Sequence, residues 1–272
     1  MQIRIGFDIE LGVTAPTALI YMLQVHPSRA ADVQGGEHIT ISPPLATDHY
    51  ADSFGNQCAR VHVPLGVSKV RLRNHATVYD TGWPDAVDFG AVEHAAADLP
   101  VDTLPFVLPS RYCEVDSELL QFAWANFLNV TPGWSRVQAI CDFVHRHLRF
   151  DYQSARATRT ALEGYREGTG VCRDFAHLAI TLCRCMNIPA RYVTGYLGDI
   201  GIPPVRSPMD FSAWFEVYLG NRWHTFDARH NTPRIGRVVI ARGRDAADVP
   251  ITMMFGANTL ERFDVTTEEV LQ

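Results

Sequence analysis

Residues 170–186 constrain this chain more tightly than any other stretch. Gly164, Gly168 and Gly170 break regular structure just ahead of Cys172. Phe175, Leu178, Ala179, Leu182 and Met186 then recur at helical spacing and form one apolar stripe. Ile188-Pro189 blocks any continuation. Cys172 therefore stands where a glycine-rich turn becomes the first turn of a core-packed helix. Unpaired amides and the positive end of the helix dipole favour a thiolate at such a place. The competing reading is a packing cysteine, since cysteine is among the most buried residue types.

A chain of 272 residues has room for one large domain or two modest ones. Its hydrophobic fraction of 47% with 20% charged residues is globular composition with ample core. A net charge of -6 argues against a general nucleic-acid binder. No apolar run approaches the roughly 20 residues of a membrane span, so no membrane partner is expected. Residues 1–11 alternate apolar and polar and lack a signal-peptide profile, which makes the cytoplasm the expected compartment. Cys58, Cys113, Cys141, Cys172, Cys183 and Cys185 show neither a disulfide framework nor metal-ligand spacing, and reduced thiols agree with that compartment. His26, His38, His49, His62 and His75 read as surface or turn residues. No metal site is expected, and with no phosphate-cradling glycine motif ahead of a helix, no cofactor either.

Residues 1–85 read as a β-sandwich. Ile3, Ile5, Phe7, Ile9 and Leu11 alternate, and strand candidates follow at 18–25, 38–41, 60–63 and 70–78, separated by proline and glycine turns. A connector containing Pro100, Pro105 and Pro109 covers 86–112. A core of helices and strands spans 113–235, and residues 236–272 are expected to add strands to it or to the N-terminal region. In the core, Asp116 is placed to cap a helix over 117–128. Ser135 is placed to cap a second helix, whose stripe is Val137, Ile140, Cys141, Val144 and Leu148. His145 and His147 fall off that stripe, onto a solvated face. After the Cys172 helix come a strand at 190–197 and a long loop, 198–210, with Pro203, Pro204 and Pro208; loops of that length are often functional. A hairpin over 211–229 closes the core, turning at Gly220-Asn221.

A helix-opening cysteine, then a strand with Ala-Trp-x-Glu-Val, then Trp-x-x-x-Asp on the next strand resembles the transglutaminase-like superfamily. The matching segments are Gly170-Val171-Cys172, residues 188–196 (Ile-Pro-Ala-Arg-Tyr-Val-Thr-Gly-Tyr), residues 213–218 (Ala-Trp-Phe-Glu-Val-Tyr) and residues 223–227 (Trp-His-Thr-Phe-Asp). The resemblance extends to the whole chain, its N-terminal region included. It implies an α+β fold: a papain/transglutaminase-like core of helices packed on an antiparallel sheet, behind an N-terminal β-sandwich. It also implies a Cys-His-Asp triad, in which Cys172 is the nucleophile and Asp227 orients the base.

One position departs from the family. The triad histidine stands immediately before Ala-Trp, and here that residue is Ser212. Serine neither takes a thiol proton near neutral pH nor becomes a cation that lowers the thiol pKa. With a two-residue hairpin loop, Trp214 faces Asp227 and Ser212 faces Arg229, all on one side, while parity sends His224 to the other. His177 lies ~140° around the helix from Cys172 and points elsewhere. His230 is the best substitute base, re-aimed by a bulge after Ala228. Arg229 offers a fixed cation to Cys172, though an ion pair with Asp227 is its expected role. Trp214, Glu216 and Trp223 read as packing and hairpin pairs, and Asp174 as a partner of the first helical turn.

The expected function is a transglutaminase-like cysteine enzyme that hydrolyses amide bonds of a peptide or protein substrate through a Cys172 thioester. Hydrolysis is preferred over crosslinking on the resemblance alone. The alternative is a pseudoenzyme, a peptide-binding or scaffold protein that keeps the cleft and lacks the base.

Overall fold

The first strand, β1 (Gln2–Val13), buries Ile3, Ile5, Phe7, Ile9 and Leu11 and leaves Arg4 in solvent, the period of two that gives a strand one core face. The computed structural model describes residues 1–204 and 209–270. Part of the long loop expected at 198–210, Pro208 included, lies outside the described residues, as do the last two residues of the chain.

Six further strands complete the N-terminal region: β2 (Thr17–Tyr21), β3 (Val33–Gln34), β4 (Thr40–Ser42), β5 (Thr47–Ala51), β6 (Gln57–Val63) and β7 (Lys69–Tyr79). The strand expected over 18–25 stops at Tyr21. Beyond it the Met22 amide donates to Ile251 O, the Val25 amide to Glu37 Oε2 and the His26 amide to Val239 O. An apolar run shows burial, and here burial comes from contacts with later parts of the chain rather than from a ladder. The β5 strand has no counterpart in the sequence reading because nearly all of it is exposed, so it carries no apolar alternation.

Among the described residues, four α-helices build the core. The first, α1 (Glu118–Phe127), is capped by Ser117, whose Oγ accepts the Leu119 amide, one residue after the expected Asp116. The second, α2 (Trp134–His147), starts one residue before the expected cap Ser135. Gly133 precedes it at φ 93°, where a Cβ would come 2.3 Å from Ala91 O. The stripe expected of α2 is buried in full: Val137, Ile140, Cys141, Val144 and Leu148. Between the short β8 (Arg149–Phe150) and β9 (Thr169–Gly170) lies α3 (Ala161–Glu167), which no apolar stripe in the sequence announces. Its signal was local: Thr160 and Glu163 form a reciprocal capping box.

The fourth helix, α4 (Cys172–Cys185), is buried from Asp174 to its end. It packs on α1, α2 and α3 on one side and on β10 (Ala190–Tyr196) and β11 (Ser212–Leu219) on the other. Each of its buried polar residues has at least one partner, although Asp174 Oδ1 and His177 Nδ1 make no hydrogen bond. Asp174 meets Arg159, Thr181 donates to His177 O, and Arg184 donates to Ala190 O and Leu108 O. His177 accepts the Ala246 amide at 3.1 Å and stacks on Tyr112, so it faces away from the thiol.

The chain continues through β12 (Arg222–Phe226), β13 (Val238–Gly243), β14 (Thr252–Met254) and β15 (Asn258–Glu269). The core sheet is antiparallel in the order β12-β11-β10-β13. In the N-terminal region, β15-β1-β7-β3 form one sheet, with β4 also on β7, and β14-β2-β6-β5 form another. Inward residues of both sheets, among them Ile5, Leu19, Val61 and Leu72, join one apolar cluster with the helical core. The C-terminal strands thus divide, β13 extending the core sheet and β14 and β15 the two N-terminal ones. The Asn56 amide group clasps Arg242 of β13, donating to its carbonyl and accepting its N–H at 2.7 and 2.8 Å.

Candidate active site

Cys172 is the first residue of α4, and the turn before it is built by Asp174. The carboxylate Oδ2 of Asp174 accepts the Val171 amide and Arg159 Nη1, both at 2.9 Å. Gly170 fits beneath it only without a side chain, since a Cβ there would lie 2.6 Å from Asp174 Cβ. Two residues of β9 pair in parallel with β8 and fix the approach. Asp174 therefore does what the sequence assigned to it, and more: it holds the backbone that aims Cys172.

The thiol borders a cleft of about 320 Å³, whose walls include Arg156, Arg173, Tyr192, Thr194, Asp210 and Ser212. Cys172 keeps some solvent contact through this cleft. Burial of the sulfur nevertheless pushes its pKa up to about 11, and the carboxylates of Asp210 and Asp227 push the same way. The Arg229 guanidinium and the Ala213 amide act against that rise without cancelling it. The thiolate expected from the helix dipole is thus not the resting form. Burial and the facing carboxylates outweigh the opposing pull of Arg229 and of the helix start.

Ser212 begins β11, is 7% exposed and borders the same cleft. Its carbonyl accepts Thr194 Oγ1 from β10, and the next residue, Ala213, turns its amide to the sulfur. Ser212 and Cys172 thus line one cleft, and β11 supplies no imidazole to it.

Asp227 comes immediately after β12, where the hairpin keeps the expected register but its ladder stops short of the site. The ladder ends at the Phe215–Phe226 pair, so Trp214 does not face Asp227 across it, nor Ser212 Arg229. The chain turns instead. Asp227 Oδ1 accepts the amides of Arg229 and His230, each at 3.0 Å, and His230 Nδ1 donates to Oδ2 at 2.8 Å. His145 of α2 also joins this turn, its Nδ1 2.9 Å from Arg229 O. His230 is brought to Asp227 by a turn, not by a bulge in a continuing strand. Among the described residues no hydrogen bond joins its ring to Cys172.

The ion pair expected between Arg229 and Asp227 is replaced by another. Arg237 Nη2 donates to Asp227 Oδ2 at 2.9 Å, and Arg237 also reaches Asp85. Burial alone would raise the Asp227 carboxyl, but the Arg237 guanidinium and His230 hold it well below the usual carboxylate range. Arg229 places its guanidinium over the Phe150 ring, 3.8 Å from the centroid, and its charge acts on Cys172 and Asp210. Sequence separation hid Arg237, which arrives from the far side of a loop.

The other candidates lie in the frame of the site. Glu216 is held between Arg191 and Arg242, Arg237 lies over the Trp214 ring, and Arg191 over that of Trp223. His224 is buried on the opposite side of the hairpin, bonded to Leu219 O. Asp210 was missed altogether. Its one signal was position, an acid two residues before Ser212 at the end of the long loop. Burial raises its carboxyl pKa against the opposing pull of the Phe211 amide and Arg229. No group of three or more His, Cys, Asp or Glu side chains among the described residues could hold a metal ion.

Fold and site together define a papain-like α+β protein, organised around a cysteine at the start of its central helix. A family model described as the Transglutaminase-like superfamily matches residues 123–228. The chain is 30% identical to the crystal structure of a "Putative Cysteine Protease" from Cytophaga hutchinsonii, covering 100% of this chain and 91% of that one with a TM-score of 0.85. An uncharacterized protein of Mycobacterium tuberculosis is 27% identical over 242 residues, which are 78% of this chain and 73% of that protein. An uncharacterized protein of Mycobacterium leprae is 30% identical over 113 residues, 40% of each chain. The chain belongs to the transglutaminase-like superfamily.

Proposed function

We propose that this protein is a cysteine hydrolase of amide bonds, acting on a peptide or isopeptide through a thioester on Cys172. The observation that carries the reading is the placement of Cys172: first residue of α4, open to a cleft, with the Ala213 amide turned to its sulfur. The sulfur attacks the substrate carbonyl, and the Cys172 amide at the helix start is the natural donor to the oxyanion. The amine leaves, and water resolves the thioester. The same thioester would pass to an amine in a crosslinking enzyme. Hydrolysis is our choice on the family likeness, including the name given to the Cytophaga protein. Six cysteines without a disulfide fit a reducing compartment, for which we propose the cytoplasm.

A second reading, a peptide-binding protein that has lost its chemistry, is favoured by one observation. With Ser212 in the histidine's place, burial leaves the thiol protonated at neutral pH. The experiment that separates the two is hydrolysis of a panel of fluorogenic peptide amides and γ-glutamyl isopeptides, with Cys172→Ala as control and mass spectrometry of the Cys172 peptide. Turnover abolished by Cys172→Ala, with an acyl adduct on Cys172, supports the hydrolase. Binding without turnover or adduct, unchanged by Cys172→Ala, supports the binding protein.

A further inference from the structure

We infer that Asp210 exchanges protons with Cys172 during the reaction, performing at this cleft the task of the absent imidazole. The inference rests on the hydrolase reading above. Asp210 and Cys172 border the same cleft, one from the end of the long loop and the other from the start of α4, with Ser212 beside them. His230 does not border it, and its Nδ1 is committed to Asp227. The remaining charged and titratable groups around the pair are Arg229, Asp227, Arg173, Arg156, Tyr152 and Tyr192. Burial holds both tyrosines neutral, and Asp227 is bound to Arg237. The arginines accept no proton near neutral pH. Asp210 is the group left that can take one and return it. Burial raises its pKa, which makes the carboxylate the stronger base that taking a thiol proton requires.

The steps balance as follows. The Asp210 carboxylate takes the thiol proton as the sulfur–carbon bond forms, and the carbonyl π pair moves to oxygen. As the oxyanion collapses, the carbon–nitrogen bond breaks and Asp210 gives its proton to the departing nitrogen. Water then attacks the thioester, losing a proton to Asp210. The sulfur leaves and recovers that proton, so one amide and one water become one acid and one amine.

Asp210→Asn tests this by two independent readouts. Removing the negative charge should lower the midpoint of Cys172 alkylation with iodoacetamide by about one pH unit. The same substitution should reduce hydrolysis about 100- to 10,000-fold. A more reactive thiol with less turnover is a combination that a purely structural role would not produce. Asp210→Glu, which keeps the carboxyl, should retain more turnover than the asparagine variant. An unmoved alkylation midpoint, full turnover in Asp210→Asn, or equal loss in both variants would overturn the inference. Alkylation needs no substrate, so its outcome is read separately from any failure of the hydrolase reading.

Discussion

His230 Nδ1 lies 2.8 Å from Asp227 Oδ2, and Arg237 Nη2 meets that same oxygen at 2.9 Å. One buried carboxylate thus serves a histidine three residues away and an arginine ten residues away. The amides of Arg229 and His230 complete its coordination from the turn between them. Asp227 is accordingly as much the keystone of this turn as an orienter of a base.

Asp227→Asn should destabilise the protein by about 3–5 kcal/mol, because it leaves Arg237 buried with half its charge partners gone. The pH dependence follows from the depressed carboxyl. Its stabilisation is present above the unfolded value of about 3.9 and is lost as pH falls through the folded value. Urea unfolding across the acid range should show wild-type stability falling towards that of the variant. Parallel curves for the two proteins would refute the assignment.

Arg229→Ala should raise the pH at which Cys172 alkylates, since it deletes the first cation that opposes the thiol's upward shift. Arg229→Lys should keep part of the effect. Because Arg229 is only half-buried and its side chain caps a ring rather than a charge, thermal stability should change by less than about 1 kcal/mol. A midpoint unmoved in both variants would remove Arg229 from the site.

Ser212→His places an imidazole at a position bordering the cleft with Cys172. The alkylation midpoint of Cys172 should fall by at least about one pH unit, as an imidazole can take the thiol proton and remain as a cation beside the thiolate. If the profile of this variant overlays the wild type, the ring does not reach the sulfur from β11.

Gly170→Ala should cost about 1–3 kcal/mol and slow Cys172 alkylation at every pH. The added methyl meets Asp174 Cβ at 2.6 Å and Oδ2 at 2.8 Å, and those atoms hold the Val171 amide ahead of the thiol. Thermal melting and alkylation rates measured together check it. A variant with wild-type values in both would show that the turn has slack.

Much of the architecture was legible along the chain because it depends on neighbours a few residues apart. The alternation of Ile3, Ile5, Phe7, Ile9 and Leu11, the stripe from Val137 to Leu148, and the start of α4 at Cys172 follow from period and turn chemistry alone. The short α3 was not read, although Thr160 and Glu163 carry a local capping signal for it. In the site, the order of Cys172, Ser212 and Asp227 and the absence of imidazole at Ser212 come directly from the sequence.

The state of those residues was decided in three dimensions. A thiol at a helix start reads as activated until its burial and the carboxylates facing it are known, and desolvation acts through contacts that no local spacing encodes. Asp227 and Arg229 looked like an ion pair by ladder parity. The strand ended one residue early, the chain turned, and Arg237 took the carboxylate while Arg229 swung to Phe150 and the cleft. Asp210 became visible only when the end of a long loop was brought to the cleft that Cys172 borders. Local sequence determined which side chains were available; long-range packing determined which of them carry charge and which of them meet.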